Sequence, residues 1–354
     1  MTGVALDAAP RAAITDIDDE IEAFFARRIA RAVAHDAEYA QLWTAARDSA
    51  AGGKRLRPEL VLAAHAAYAG AGRGEAVRLA LAFELLHTAF LMHDDVIDHD
   101  LVRRGAPNVT GRFMLEARAR GLAVGRARDY GEAAAILAGD LLISAAHRIV
   151  AEVEAPDRVR AALLDVLDDC VFLTAAGEHA DVRQATSSPT RHEIIAMIER
   201  KTAWYSFSAP LQAGALLGGA PRDAVDRLGE VGRHLGVAFQ LRDDVLGVFG
   251  TSAVTGKSVV GDLREGKQTL LIAWARSDPA WRTVADDFGR PDLDDAAAAR
   301  LREVIESTGA RARVEAVIRE RHAEAVAAIE FGDFPSALRA GLLATASGCV
   351  GRER

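Results

Sequence analysis

The chain is short of cysteine, of aromatic residues and of uninterrupted apolar stretches, and each shortage excludes a class of protein. Two cysteines, Cys170 and Cys349, lie far apart in 354 residues. Neither a disulfide framework nor a cysteine metal site is expected, and a cytoplasmic location suits that usage. No run of 18 apolar residues is free of charge; the nearest, around Ala133–Ala151, carries Asp140, His147 and Arg148. It reads as a core helix, so a soluble chain without stable membrane insertion is expected. The start, MTGVALDAAPRAAITDIDDE, lacks the basic residues and apolar core of a signal peptide. Basic residues are outnumbered, 43 Lys and Arg against 51 Asp and Glu, for a net charge of −8. Nucleic acid is therefore not an expected partner, and an anionic ligand must be held by local cations. The HExxH, CxxC and G-x-S-x-G patterns are all missing.

What is present is helical periodicity. Ile17, Ile21, Phe24, Phe25 and Ile29 recur at helix spacing behind Thr15, which is expected to cap that helix. Pro58 suits a first helical turn, and Thr190-x-x-Glu193 has the form of a capping box. Helices are expected near 58–69, 75–100, 131–151, 157–184, 190–218 and 222–249, with shorter ones near 268–277, 293–307, 310–330 and 335–347. Strand signals are weak, with little alternation and 6% aromatic residues. The expectation is an all-α fold: one helical domain over residues 13–354, with residues 1–12 flexible.

Two acidic clusters end apolar segments. In Leu91-Met-His-Asp-Asp-Val-Ile-Asp98, Asp94 and Asp98 share a helix face and Asp95 sits about 100° round. In Phe239-Gln-Leu-Arg-Asp-Asp244, Gln240 precedes Asp243 and Asp244 by about one turn. Carboxylates so close repel unless a cation lies between them. Acids at a helix end are commonly just solvated, as expected for Asp165, Asp168 and Asp169. Two such clusters behind oily helices instead suggest Mg²⁺, which takes carboxylate oxygens and is completed by water and phosphate.

Cations stand near both clusters: Lys54, Arg55 and Arg57 after two glycines, then Arg103-Arg104, Lys201, Lys257, Arg264 and Lys267. Metal-binding acids beside Arg and Lys describe a site for diphosphates. GTSAVTGKS (250–258) mimics a nucleotide P-loop but has Thr251 where glycine is needed, and no strand before it. Helix mouths that are charged outside and apolar within fit a diphosphate carrying a hydrocarbon tail.

The motifs GGKRLRP, HDDVID with RRGAP, KTAWYSF, and FQLRDD with a later TGK and DLREGKQT run in order over roughly residues 50–270. In that order they resemble the trans-isoprenyl diphosphate synthases, or polyprenyl synthetases, in short-chain form. The resemblance implies an antiparallel helical bundle around a central active-site cavity, usually a homodimer, that joins isopentenyl diphosphate to an allylic diphosphate. It implies that Asp94, Asp95, Asp98, Asp243 and Asp244 hold Mg²⁺, typically three ions, with Asp181 in support of the metals or of Lys201. Arg103, Lys201 and Lys267, with Lys257 close by, would take the allylic diphosphate. Lys201, the Thr202 carbonyl and Gln240 would stabilise the cation left by ionisation. Gly53, Lys54, Arg57, His87 and Arg104 would take isopentenyl diphosphate without metal.

Two positions depart from the family pattern. Gly247 stands where many relatives have the third acid of the second motif, and Glu178 where the family has glutamine. Ala89 and Phe90, the fifth and fourth residues before Asp94, are expected to lie below the diphosphate and limit chain growth. One aromatic there rather than two implies geranylgeranyl diphosphate as product, with farnesyl diphosphate as the alternative. A class I terpene cyclase would show a different second motif, and a non-catalytic subunit would have lost one.

Overall fold

The computed structural model describes residues 11–68, 72–250 and 260–351. Within them the fold is all-α apart from one two-stranded hairpin. The chain forms two compact units, one running to Asp165 and taking in Ala213–Gly219, the other comprising Val166–Gln212 and the chain from Ala220 on. Neither unit is continuous in sequence, and two helices pass from one to the other, as parts of a single domain do.

The first unit carries α1 (Arg11–Val33), α2 (Ala37–Ala50), α3 (Leu56–Ala67), α4 (Arg73–Ile97), α5 (Val109–Ala119) and α6 (Val124–Ala151). Thr15 lies inside α1, which begins at Arg11, and does not cap it. Of the stretch expected to be flexible, residues 1–10 fall outside the described residues. Asp36 caps α2 by accepting from the Glu38 and Tyr39 amides, and Asn108 caps α5 through Gly111. Neither helix was expected, because α2 and α5 are short and carry many polar residues.

Helix α4 is the pedestal of this unit. Leu79, Leu81, Leu85 and Leu86 are fully buried on several sides of it. Each such side chain stabilises the fold by roughly 1.5–3 kcal/mol. That outweighs the cost of placing Asp94, Asp95 and Asp98 at the negative end of the helix dipole, about 0.3–1 kcal/mol each. Helix α6 begins seven residues before the expected start and packs on α4 and α5. It is not wholly a core helix. Its most apolar 18-residue window is 44% buried, with Ile136 and Leu137 exposed. By length and composition alone α4 and α6 could each span a membrane, but the corresponding window of α4 is 67% buried.

The second unit contains most of α7 (Asp157–Ala185), α8 (Arg191–Ile198), a π-helix (Glu199–Ser208), the start of α9 (Ala209–Gly218) and α10 (Arg222–Phe249). The Thr190–Glu193 capping box forms as expected. The single helix expected over 190–218 is interrupted by ten π-helical residues, which periodicity does not reveal. Gly232 and Gly236 let α10 approach the π-helix: a Cβ on either would collide with the backbone of Ser208 or Ala203. Beyond α10 come α11 (Gly261–Glu265), α12 (Leu270–Ala275), two short 3₁₀ turns, α13 (Asp295–Ser307), α14 (Ala310–Phe331) and α15 (Ser336–Val350). Leu241, Leu271, Ala298, Ile305 and Ile318 form the centre of this unit's core. Asp165, Asp168 and Asp169 are exposed, as expected.

Candidate active site

In the first unit, α4 ends at Ile97 and Asp98 is its C-cap. Asp95 is 5% exposed, while Asp94 and Asp98 are half-buried. The chain then turns through a hairpin, Val102–Arg103 paired with Ala106–Pro107. Its two loop residues, Arg104 (φ 54°) and Gly105 (φ 77°), are both left-handed, as a tight hairpin requires. This small sheet, unforeseen from the sequence, sets the two arginines. Arg103 Nε donates to Asp95 Oδ1 at 2.8 Å and its Nη2 to Asp94 Oδ2 at 3.2 Å. The cation between these aspartates is therefore Arg103. Burial pushes the Asp95 carboxyl up, although Arg103 opposes the shift. Burial disfavours the Arg103 charge, but Asp95 and Asp94 outweigh it and raise the guanidinium pKa.

Arg104 points the other way and donates to the Ala51 carbonyl at 2.7 Å. A Cβ on Gly53 would come within 3.2 Å of Arg104 Nη2, so this glycine lies under the guanidinium. Arg55, also left-handed, is spent on structure: it pairs with buried Glu84 at 2.6 Å and with Asp18 at 2.8 Å. A cavity of about 330 Å³ is lined by Gly52, Gly53, Lys54 and Arg55, with Arg47 beside them. A second of about 510 Å³ is lined by Asp95, Arg103 and Arg104, with Leu91 and Met92 as an apolar wall.

His87 lies among these cations. Burial first, then the charges of Arg57, Arg104, Arg103 and Arg55, hold its imidazole well below the ordinary value of 6.5. The folded chain keeps His87 neutral at pH values where the unfolded chain takes up a proton. The unfolded state then binds more protons, so stability rises with pH through that window and is lost as pH falls below about 6.5. Urea titrations across that range are expected to show a shallower pH dependence in His87→Asn. An unaltered slope would remove His87 from the arginine cluster.

In the second unit, Lys201 is placed by the close approach of two helices. A Cβ on Gly177 of α7 would overlap the Lys201 backbone. Lys201 Nζ donates to Asp181 Oδ2 at 2.6 Å and lies 3.0 Å from Glu178 Oε2. Thr202 Oγ1 donates to Gln240 Oε1 at 3.0 Å, and Gln240 Nε2 to Asp244 Oδ1 at 2.9 Å. Burial pushes the Asp244 carboxyl up to about 7; Gln240 and Lys267 oppose this, while Asp262 and Asp243 add to it. Lys267 lies 3.5 Å from Asp262 and 3.4 Å from Glu265. Arg242, next to the acids in sequence, instead clamps Glu315 through two hydrogen bonds. Lys257 and the P-loop-like stretch after Gly250 lie outside the described residues.

Among the described residues no three His, Cys, Asp or Glu side chains converge into a ready-made metal cage. Mg²⁺ commonly keeps several waters and is completed by phosphate oxygens rather than by protein alone. The donor chemistry fits: acid pairs backed by cations, with a half-buried carboxyl whose raised pKa an added cation would lower. Asp262 and Glu178 are the residues that motif spacing passed over. Asp262 stood within the quoted DLREGKQT, and Glu178 marked a departure from the family pattern.

An all-α chain with acidic helix ends, each beside cations held in register, belongs to the class of diphosphate-handling helical enzymes. Residues 40–306 match the polyprenyl synthetase family model, and the chain belongs to that family. It is 36% identical over 296 residues to a (2E,6E)-farnesyl diphosphate synthase of Mycobacterium tuberculosis, covering 80% of this chain and 76% of that one. It is 40% identical over 225 residues to a geranylgeranyl diphosphate synthase of Methanosarcina mazei, 63% of each chain. Among solved structures, a geranylgeranyl pyrophosphate synthase of Corynebacterium glutamicum complexed with isoprenyl diphosphate and magnesium superposes with TM-score 0.88 at 28% identity. That match covers 95% of this chain and 98% of the other. The protein is a transferase, a trans-prenyltransferase that condenses isopentenyl diphosphate with an allylic diphosphate.

Proposed function

We propose that the enzyme extends allylic diphosphates to geranylgeranyl diphosphate, working as a cytoplasmic homodimer with three Mg²⁺ ions per active site. The observation that carries the product is Ala89: on α4 it is small and fully buried, five residues before Asp94. Phe90, half-buried, is the only aromatic side chain of the pair. Were Phe90 the floor instead, growth would stop at farnesyl diphosphate.

Isopentenyl diphosphate binds to Gly53, Lys54, Arg57, His87 and Arg104. The cations around His87 support this: Arg57 and Arg104 are the largest charges disfavouring a proton there, and a diphosphate entering beside them would meet guanidinium donors. Asp94, Asp95 and Asp98 hold Mg²⁺ on the allylic diphosphate, as do Asp243 and Asp244. Bound Mg²⁺ would supply electrostatic stabilisation to the departing diphosphate. Arg103, Lys201, Lys257 and Lys267 share that charge, Arg103 exchanging carboxylate partners for phosphate. Asp181 and Glu178 hold the Lys201 ammonium in place. Lys201, the Thr202 carbonyl and Gln240 face the allylic cation. The apolar residues Ile136 and Leu137 on exposed α6 support a second copy of the chain as the partner covering them.

The test is to supply isopentenyl diphosphate and Mg²⁺ with dimethylallyl, geranyl or farnesyl diphosphate and size the dephosphorylated products by mass spectrometry. Geranylgeraniol from every starter is expected, and Ala89→Phe should arrest growth at farnesol. Arrest at farnesol in the natural chain would assign Phe90 as the floor. Cyclic hydrocarbon without elongation would make the chain a cyclase.

A further inference from the structure

The π-helix that carries Lys201 and Thr202 is ten residues long, Glu199–Ser208. Such geometry is usually confined to a single turn, so a run of this length has to be held from outside. Its later part is held by close backbone approach to α10, Ala203 against Gly236 and Ser208 against Gly232. Its first residue is held by charge. Glu199 Oε1 accepts from Arg233 Nη1 of α10 at 3.0 Å. The same guanidinium extends Nη2 to His234 Nε2 at 3.0 Å. A guanidinium can only donate, so Nε2 accepts and the neutral ring carries its proton on Nδ1. That nitrogen lies 2.9 Å from Glu324 Oε2 of α14, and Glu324 accepts in turn from Arg321 Nη1 at 2.8 Å.

His234 is the fixed point of this chain. It is 6% exposed, whereas the Arg233 and Glu199 side chains are 37% and 30% exposed. Burial first, then Arg233 and Arg321, hold its imidazole below the ordinary 6.5 against the pull of Glu324 and Glu230, which keeps Nε2 available as an acceptor. A half-exposed Arg–Glu pair by itself holds little, because both side chains give up freedom to form it. A guanidinium already tied to a buried ring has less freedom left to lose.

We propose that Arg233, tied down by His234 and Glu324, is a positioning residue for the reaction: it fastens the first turn of the π-helix and so sets where Lys201 and Thr202 stand. This rests on the reading that Lys201 takes the allylic diphosphate and faces the cation. Asp181 and Glu178 hold the Lys201 ammonium, and Gln240 the Thr202 hydroxyl. Arg233 acts one step earlier, on the helical turn from which both side chains leave.

The test is steady-state kinetics with geranyl and isopentenyl diphosphates, with urea unfolding alongside. Arg233→Met, which keeps the length of the side chain and removes its donors, should raise the KM for geranyl diphosphate and lower kcat, costing about tenfold or more in kcat/KM. The KM for isopentenyl diphosphate should stay within about twofold, since the residues read as taking it belong to the first unit. His234→Leu should behave like Arg233→Met. His234→Gln should restore near-natural kinetics, because its amide oxygen can accept where Nε2 does. Glu199→Ala combined with Arg233→Met should lose no more than either alone, as two ends of one contact do; Glu199→Ala also carries the test should Arg233→Met fail to fold. Equal rises in both KM values, a fall in kcat alone that tracks lost stability, or no rescue by His234→Gln would each overturn the proposal. Lys201→Met separates the two levels. If it changes the kinetics with geranyl diphosphate and Arg233→Met does not, only the Arg233 assignment fails; if neither does, the reading of Lys201 fails with it.

Discussion

Asp95→Asn is expected to lower kcat/KM by on the order of a thousandfold, equivalent to about 4 kcal/mol of transition-state stabilisation. Asp95 is the most buried acid of the first motif and the principal partner of Arg103. Its anionic oxygen is proposed to hold Mg²⁺ on the diphosphate, and an amide oxygen in the same place binds Mg²⁺ far less well. The fold should tolerate the change, because Asp94 still pairs with Arg103 at 3.2 Å and burial already disfavours the Asp95 charge. Steady-state kinetics over a range of Mg²⁺ concentrations, with circular dichroism to confirm folding, check this. A loss below about tenfold, under 1.4 kcal/mol, would leave Asp95 only the task of holding Arg103.

Glu84→Ala is expected to cost about 3–5 kcal/mol of stability, among the largest losses for a single substitution outside the catalytic acids. Both partners of the Arg55–Glu84 pair are nearly sealed, with side-chain exposures of 6% and 7%. Removing Glu84 leaves a buried guanidinium with the Ala50 carbonyl and the outer carboxylate of Asp18. The companion change Asp18→Ala, at a residue 53% exposed, should cost only about 0–1 kcal/mol. Urea unfolding of the two variants compares them directly. Equal losses would show that Arg55 is held from the solvent side. Because Arg55 starts α3 from a left-handed backbone, the Gly52–Arg57 loop should also lose its grip on isopentenyl diphosphate in Glu84→Ala.

Much of this was legible in the residues. The helix over 157–185 and the box at Thr190–Glu193 were visible because apolar spacing and capping are local properties. The acidic and basic motifs were visible because their residue types are scarce at the ends of oily helices. The hairpin was not, since two paired residues per strand leave no alternation to read. Nor was the π-helix, whose residues share the composition of the α-helices on either side.

The sequence alone determined that the chain is helical, which acids and cations cluster, and which family they resemble, since these depend on neighbours along the chain. Only the tertiary structure decided which ion meets which. Arg103 was assigned to a diphosphate by motif, yet it bridges Asp94 and Asp95 through a hairpin turn. Arg55, one of three cations in a loop, turned out to be buried against Glu84. Ion pairing falls off over a few ångströms in space and takes no account of distance along the chain, so it could not be read from spacing.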